Sequence, residues 1–166
     1  MENMDMVVQY MQDYGILFLF IIVYLEYLNL PGLPAGIIMP AAGFLVATSN
    51  ISFIYALVVS VVAGLLGSYT LYAMGYFIGS PIVDKVYEKF KKSRSSIDKS
   101  FGYIERYGNK GIFISRLIPV ARTLISLVAG TAKMKLWDFT FYSIGGICLW
   151  NLAFILAGYI MGAAVK

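Results

Sequence analysis

Residues 111–130 read GIFISRLIPVARTLISLVAG, and this stretch decides the class of the fold. Apart from Arg116 and Arg122 it is apolar or built of small residues, so it belongs in a bilayer. A charged side chain at bilayer depth costs about 2.5–3.5 kcal/mol on insertion scales, and one that is kept there is a functional hypothesis by default. Arginine is also the side chain best shaped to grip a phosphate, through its planar fork of donors. Six positions separate the pair, so on a straight helix they would point about 120° apart. Pro119 lies between them, and a break there would let them converge. The alternative is that both snorkel to the interface or pair structurally. Arg116 is better placed for snorkelling, because a basic segment ending at Lys110 precedes it.

Working outward, a third charge occupies another apolar stretch. Tyr14 to Leu30 is apolar apart from Glu26 and Asn29, and it runs into NLPGLPAGIIMPAAGFLVA at residues 29–47. Pro31, Pro34 and Pro40, interleaved with glycines that include Gly43, cannot form one straight helix. Irregular backbone at membrane depth survives only when buried in protein or lining a wet cavity. Leu30 to Thr48 is therefore expected to be a re-entrant hairpin or a broken helix. Gly111 to Thr131, broken at Pro119 and closing on Gly130, is expected to be its counterpart. Glu26 is either the structural partner of an arginine or a carrier of protons in coupled transport.

Two intact spans complete the apolar part. Ser52 to Gly79 carries no charge, and its Gly64, Gly67, Gly75 and Gly79 permit close helix packing. Phe139 to Val165 is also uncharged, with Trp137 and Asp138 marking an interface before it. Between the halves, Pro81 to Lys110 holds eight of the thirteen basic residues. Val83, Val86, Tyr87, Phe90, Ile97, Phe101 and Ile104 recur there at helical spacing. The segment is expected to form two amphipathic helices hinged near Ser93 to Ser96, lying on the membrane surface. Its basic excess assigns it to the cytoplasmic side.

The composition agrees. Hydrophobic residues make up 60% of the chain and charged residues 13%, against about 25% in a soluble domain. The expected fold class is an all-α membrane protein, a single domain over residues 1–166, with halves at 1–79 and 111–166 and a linker at 80–110. Without histidine there is no histidine switch, nucleophile or metal ligand. The single cysteine, Cys148, excludes an intramolecular disulfide and a multi-cysteine metal site, and it suits a small core filler. No metal site, cofactor or nucleic-acid module is expected. The acidic N-terminus lacks the basic start and cleavage site of a signal peptide, so insertion without cleavage is expected.

The halves echo each other. Gly75-Tyr76-Phe77-Ile78-Gly79 matches Gly158-Tyr159-Ile160-Met161-Gly162, and Ala41-Ala42-Gly43 matches Val128-Ala129-Gly130. A broken segment followed by an intact span, twice over, is the trace of the internal repeats of secondary transporters, with the repeat expected to be inverted. In this register one half brings Glu26 and the other brings Arg116 and Arg122.

FISRLIPVARTLISLVAGTAKMKLWDF followed by GGICLWN resembles the second characteristic block of the DedA family, of the VTT or SNARE-associated type. YLEYLNLPGLPAGIIMPAAGFLVA followed by GLLGSYTLYAMGYFIG resembles the first block, and together they cover Leu25 to Gly162. The resemblance implies an inner-membrane, multi-pass protein with two facing re-entrant hairpins that translocates lipid and is not an enzyme. It implies undecaprenyl phosphate as substrate, with phosphatidylethanolamine or general phospholipid scrambling as the alternative. It further implies dependence on a proton or sodium gradient, with the essential carboxylate at Glu26 and the essential arginines at Arg116 and Arg122. Two departures stand out. Many members carry a second acid where LPAGIIMP here has Gly36, and many continue into a further hydrophobic segment beyond Gly162. A proton- or sodium-coupled transporter of small solutes is the competing class, and a homo-oligomer stays open. A lipid-phosphate enzyme is disfavoured by the absence of histidine and of an acidic metal cluster.

Overall fold

The computed structural model describes residues 2–28, 35–49, 51–89, 91–119 and 121–165, with side chains except at 2–13, 35–36, 82, 86–87, 89, 91–93, 96 and 123. Pro31 and Pro34 lie outside the described residues. Every regular element among the described residues is a helix: α1 (Glu2–Tyr27), α2 (Ala35–Thr48), α3 (Phe53–Ile78), α4 (Ser80–Lys89), α5 (Lys91–Tyr107), α6 (Lys110–Arg116), α7 (Ala121–Thr131) and α8 (Leu136–Ala164).

Two of these, α3 and α8, are long and apolar enough to cross a membrane. Their lengths follow from long runs free of charge and of proline. α3 stops at Gly79, whose φ of 71° is left-handed and whose N–H donates to the Gly75 carbonyl. Both helices leave rows of large apolar side chains exposed, such as Ile54, Val58, Val62 and Leu66 on α3, and Phe141, Ile144 and Leu149 on α8. A soluble surface does not carry contiguous rows of this kind, whereas hydrocarbon covers them at no penalty.

Of the prolines expected to break helices, Pro119 does so and Pro40 does not, so no break falls within Ala35–Thr48. Between α6 and α7 the chain turns at Leu117 to Pro119, and α7 starts two residues after the proline, where its missing N–H breaks no helical bond. Pro40, in contrast, sits inside α2, and the helix continues through it.

The halves interlock. α2 packs on α8, and α7 packs on α3, so each short helix lies against the long span of the other half. Glycines permit both approaches. A Cβ added at Gly43 would lie 2.0 Å from the Ile155 carbonyl oxygen, and one at Gly158 would lie 1.9 Å from that of Pro40. At the other crossing, a Cβ on Gly75 would lie 2.2 Å from the Leu127 oxygen, and one on Gly130 would lie 2.1 Å from that of Tyr72. In all four cases the obstructing carbonyl belongs to the residue three positions before the partner glycine. The two sequence anchors, Gly43 with Gly130 and Gly75 with Gly158, thus occupy equivalent places in two like crossings.

The linker differs from its expected form in two ways. The expected hinge is not at Ser93 to Ser96, where α5 runs unbroken. Its apolar stripe also turns inward: Val83 and Ile97 are buried against Leu124, Leu127 and Val128 of α7. The linker is therefore a brace on the arginine-bearing hairpin as well as a surface.

Candidate functional site

Glu26, Arg116 and Arg122 come together in the interior, and all three are buried. Glu26 lies at the end of α1, one residue before the helix terminus. Arg116 ends α6, and Arg122 opens α7. The turn at Pro119 brings the two arginines together as the sequence allows: Arg116 Nη1 donates to the backbone carbonyl of Arg122 at 3.0 Å. Arg116 Nη2 donates to Ser126 Oγ at 3.1 Å on α7 and to Ser143 Oγ at 2.9 Å on α8. One guanidinium therefore ties three helices together. Snorkelling does not occur at Arg116, because Gly146 of α8 leaves room for its stem and holds the chain inward.

Arg122 forms an ion pair with Glu26, from Nη2 to Oε1. Its guanidinium also lies 5.0 Å from the ring centroids of both Tyr27 and Trp150, and that of Arg116 lies 5.6 Å from Phe139. Cation–π contacts of this kind gain strength when water is excluded. Tyr27 is seated by Gly64 of α3, where a Cβ would press on the ring. Its hydroxyl donates to Asn151 Oδ1 at 3.1 Å, and Asn151 Nδ2 donates to Ser60 Oγ at 3.1 Å.

The charges do not balance. Two guanidiniums face one carboxylate, which leaves one positive charge in the interior among the described residues. Donors remain as well: among the described residues Arg116 Nε, Arg122 Nε and Arg122 Nη1 have no hydrogen-bond partner, and neither do Glu26 Oε2, Ser115 Oγ and Trp150 Nε1. Buried polar groups are normally satisfied, and each exception requires an explanation. Chemically, the site presents forked guanidinium donors without partners beside a single carboxylate.

Of the other residues singled out in the sequence, Gly43, Gly130 and Pro40 stand at helix crossings, and Pro119 lies in the turn between the two arginines. Sequence reasoning missed Tyr27, Trp150 and Phe139 as partners of the arginines, and Ser60, Ser126, Ser143 and Asn151 as polar supports. The available signal was Asn151 together with serines inside spans that are otherwise apolar. No group of described residues has the composition of a metal site.

Comparison with known proteins supplies the family. The VTT domain matches residues 33–160. The chain is 30% identical over 131 residues to undecaprenyl phosphate transporter A of Bacillus subtilis, covering 79% of this chain and 66% of that protein. It is 30% identical over 151 residues to protein DedA of Escherichia coli, covering 90% and 68%. It is 28% identical over 158 residues to undecaprenyl phosphate transporter A of Staphylococcus aureus, covering 93% and 77%. The chain thus spans about two thirds or somewhat more of the length of these relatives. Two of these relatives are named for transport. No solved structure matches the chain. With the domain matched over most of its length and its glutamate and arginines gathered in the interior of the helical fold, this protein belongs to the DedA family of VTT-domain membrane proteins.

Proposed function

We propose that the protein translocates a lipid phosphate across the cytoplasmic membrane, with undecaprenyl phosphate or a similar polyprenyl monophosphate as its substrate. The observation that carries this reading is the unbalanced interior charge, two arginines against Glu26, with donors left over on both guanidiniums. An arginine fork accepts a phosphate in bidentate geometry, and apolar surroundings strengthen the contact. Two relatives named as undecaprenyl phosphate transporters support the choice of lipid.

Glu26 acts as the competitor. It occupies one corner of Arg122, so a proton on Glu26 frees that corner for the incoming phosphate. Proton binding and phosphate binding then help each other, which is the linkage a coupled carrier needs. The hairpin α6–α7 and the pair α1–α2 act as two re-entrant elements of an inverted repeat whose tips meet at the charges. The like glycine crossings of α2 with α8 and of α7 with α3 support that arrangement. The basic linker faces the cytoplasm.

The test uses purified protein in liposomes with a head-group-labelled polyprenyl phosphate. Arg122→Lys is expected to lose transport nearly as completely as Arg122→Ala, because lysine keeps the charge and loses the fork. Arg116→Lys is expected to fail equally, since its guanidinium reaches three acceptors on two helices. Wild-type rates in both lysine variants would show that charge alone suffices and would rule out a phosphate clamp.

A further inference from the structure

A groove of about 620 Å³ opens on the flank of the molecule at the linker end of α3. Tyr69, Tyr72, Tyr76 and Phe77 form its walls, and Lys133 and Lys135 stand at its rim. We propose that this groove is a docking site for a lipid phosphate monoester, with the headgroup held by Lys133 and Lys135 and the start of the tail lying along the tyrosine wall. The proposal rests on the reading of the protein as a lipid-phosphate carrier and adds to it a second, peripheral site.

The first argument is where the chain has put a lysine. Lys133 has a φ of 51°, in the left-handed region. It caps α7 in a Schellman turn: its N–H donates to the Gly130 carbonyl, and the N–H of Met134 donates to that of Ala129. Glycine is the usual residue there, because a Cβ in this conformation costs about 1–2 kcal/mol. A lysine at a position that favours glycine is best explained by its side chain.

Rigidity and charge add to this. The hydroxyl of Tyr72 donates to the Met134 carbonyl, so the residue between the two lysines is pinned to the groove wall. Tyr69 bonds Thr140 at 2.8 Å, fixing the start of α8 to the same wall. The lysines are therefore presented on a held loop at the mouth of an apolar channel. The corresponding connection after α2, Thr48-Ser49-Asn50-Ile51-Ser52, carries no charge, so the cationic groove belongs to one half alone. Two ammonium groups match a phosphate monoester, which carries about −1.5 to −2 charges near neutral pH, better than a singly charged phosphodiester.

The groove also adjoins the central site. The ring of Phe139 lies 4.7 Å from that of Tyr72 and 5.6 Å from the guanidinium of Arg116. One buried phenyl ring thus contacts both the groove wall and an arginine of the central site.

A photoreactive benzoylphenylalanine placed at Ala73, inside the groove, tests this in the full chain. The protein is held in phosphatidylcholine nanodiscs with an alkyne-tagged polyprenyl monophosphate, and the matching polyprenol serves as control. The monophosphate is expected to label the protein well above the polyprenol. Lys133→Gly and Lys135→Gln are each expected to cut labelling about fivefold, the effect of one basic residue beside an anionic lipid. Lys133→Gly suits its left-handed backbone, so its melting temperature should match or exceed the wild type, which separates a lost contact from a lost fold. Equal labelling by the polyprenol, unchanged labelling in the Lys133→Gly/Lys135→Gln double variant, or displacement by phosphatidylglycerol as effective as by untagged monophosphate would each overturn the groove site. Labelling is read without transport, so the two readings fail separately. Arginine-dependent transport with phosphate-blind labelling sinks only the groove. Lysine-dependent labelling beside normal transport in the arginine variants sinks only the central clamp.

Discussion

One substitution separates the structural role of Glu26 from the coupling role proposed for it. As the partner of Arg122 it balances a buried guanidinium, and removing one member of a buried pair costs about 3–5 kcal/mol because the other charge is stranded. On the proposed mechanism it also competes for Arg122 and so links transport to protons. Glu26→Gln should therefore lower the melting temperature in detergent, and the Glu26→Gln/Arg122→Gln double variant should recover much of that loss. If coupling is also real, the residual transport of Glu26→Gln should no longer respond to a proton gradient, whereas Glu26→Asp should keep part of the response. Intact stability and intact gradient dependence in Glu26→Gln together would remove Glu26 from both roles. The glutamate and both arginines were legible in the sequence because charge is rare in apolar segments. The depth of Arg116 was not, because nearness along the chain to a basic segment says little once a turn and Gly146 draw the side chain inward. Tyr27, Trp150 and Phe139 were hidden for a different reason: in a membrane protein an aromatic residue beside a cation looks like any other packing residue.

At the scale of elements, the glycine crossings set how closely the helices approach. An alanine at Gly43, Gly75, Gly130 or Gly158 would drive a methyl group into backbone oxygen, which cannot swing aside as a side chain can. Overpacking of this kind costs about 1–3 kcal/mol, so each variant should melt earlier than the wild type in detergent. Gly102→Ala is the control. Nothing lies within 4 Å of its added Cβ, and on an exposed helix it should be neutral or stabilising by up to about 1 kcal/mol. Equal losses at Gly102 and at the crossings would remove the steric account. The spans were readable because α3 and α8 are unbroken apolar runs. A hinge was expected at Ser93 to Ser96 because those residues resemble a loop in composition. The helix keeps its register there, since Ile97 and Ile104 continue the apolar stripe toward α7. Sequence periodicity finds such a stripe, but not the surface it meets.

On the scale of the whole molecule, two pairs of like anchors were legible in the sequence, yet their similarity along the chain could not tell whether each half packs on itself or on its neighbour. That depends on contacts between residues more than a hundred positions apart, such as Gly43 with Ile155. The exchanged packing has a consequence in time. The ribosome delivers α2 well before α8, so the face of α2 around Gly43 waits uncovered until α8 has been made. Neither half owns a finished interior, and each is completed by the other. Residues 1–79 and 80–166 expressed separately should thus be cleared by membrane proteases, and their co-expression should restore both to levels visible by immunoblot. Survival of either fragment alone would show that it had been self-sufficient from the start. In the whole molecule, a helix made late is the one that lets α2 come to rest.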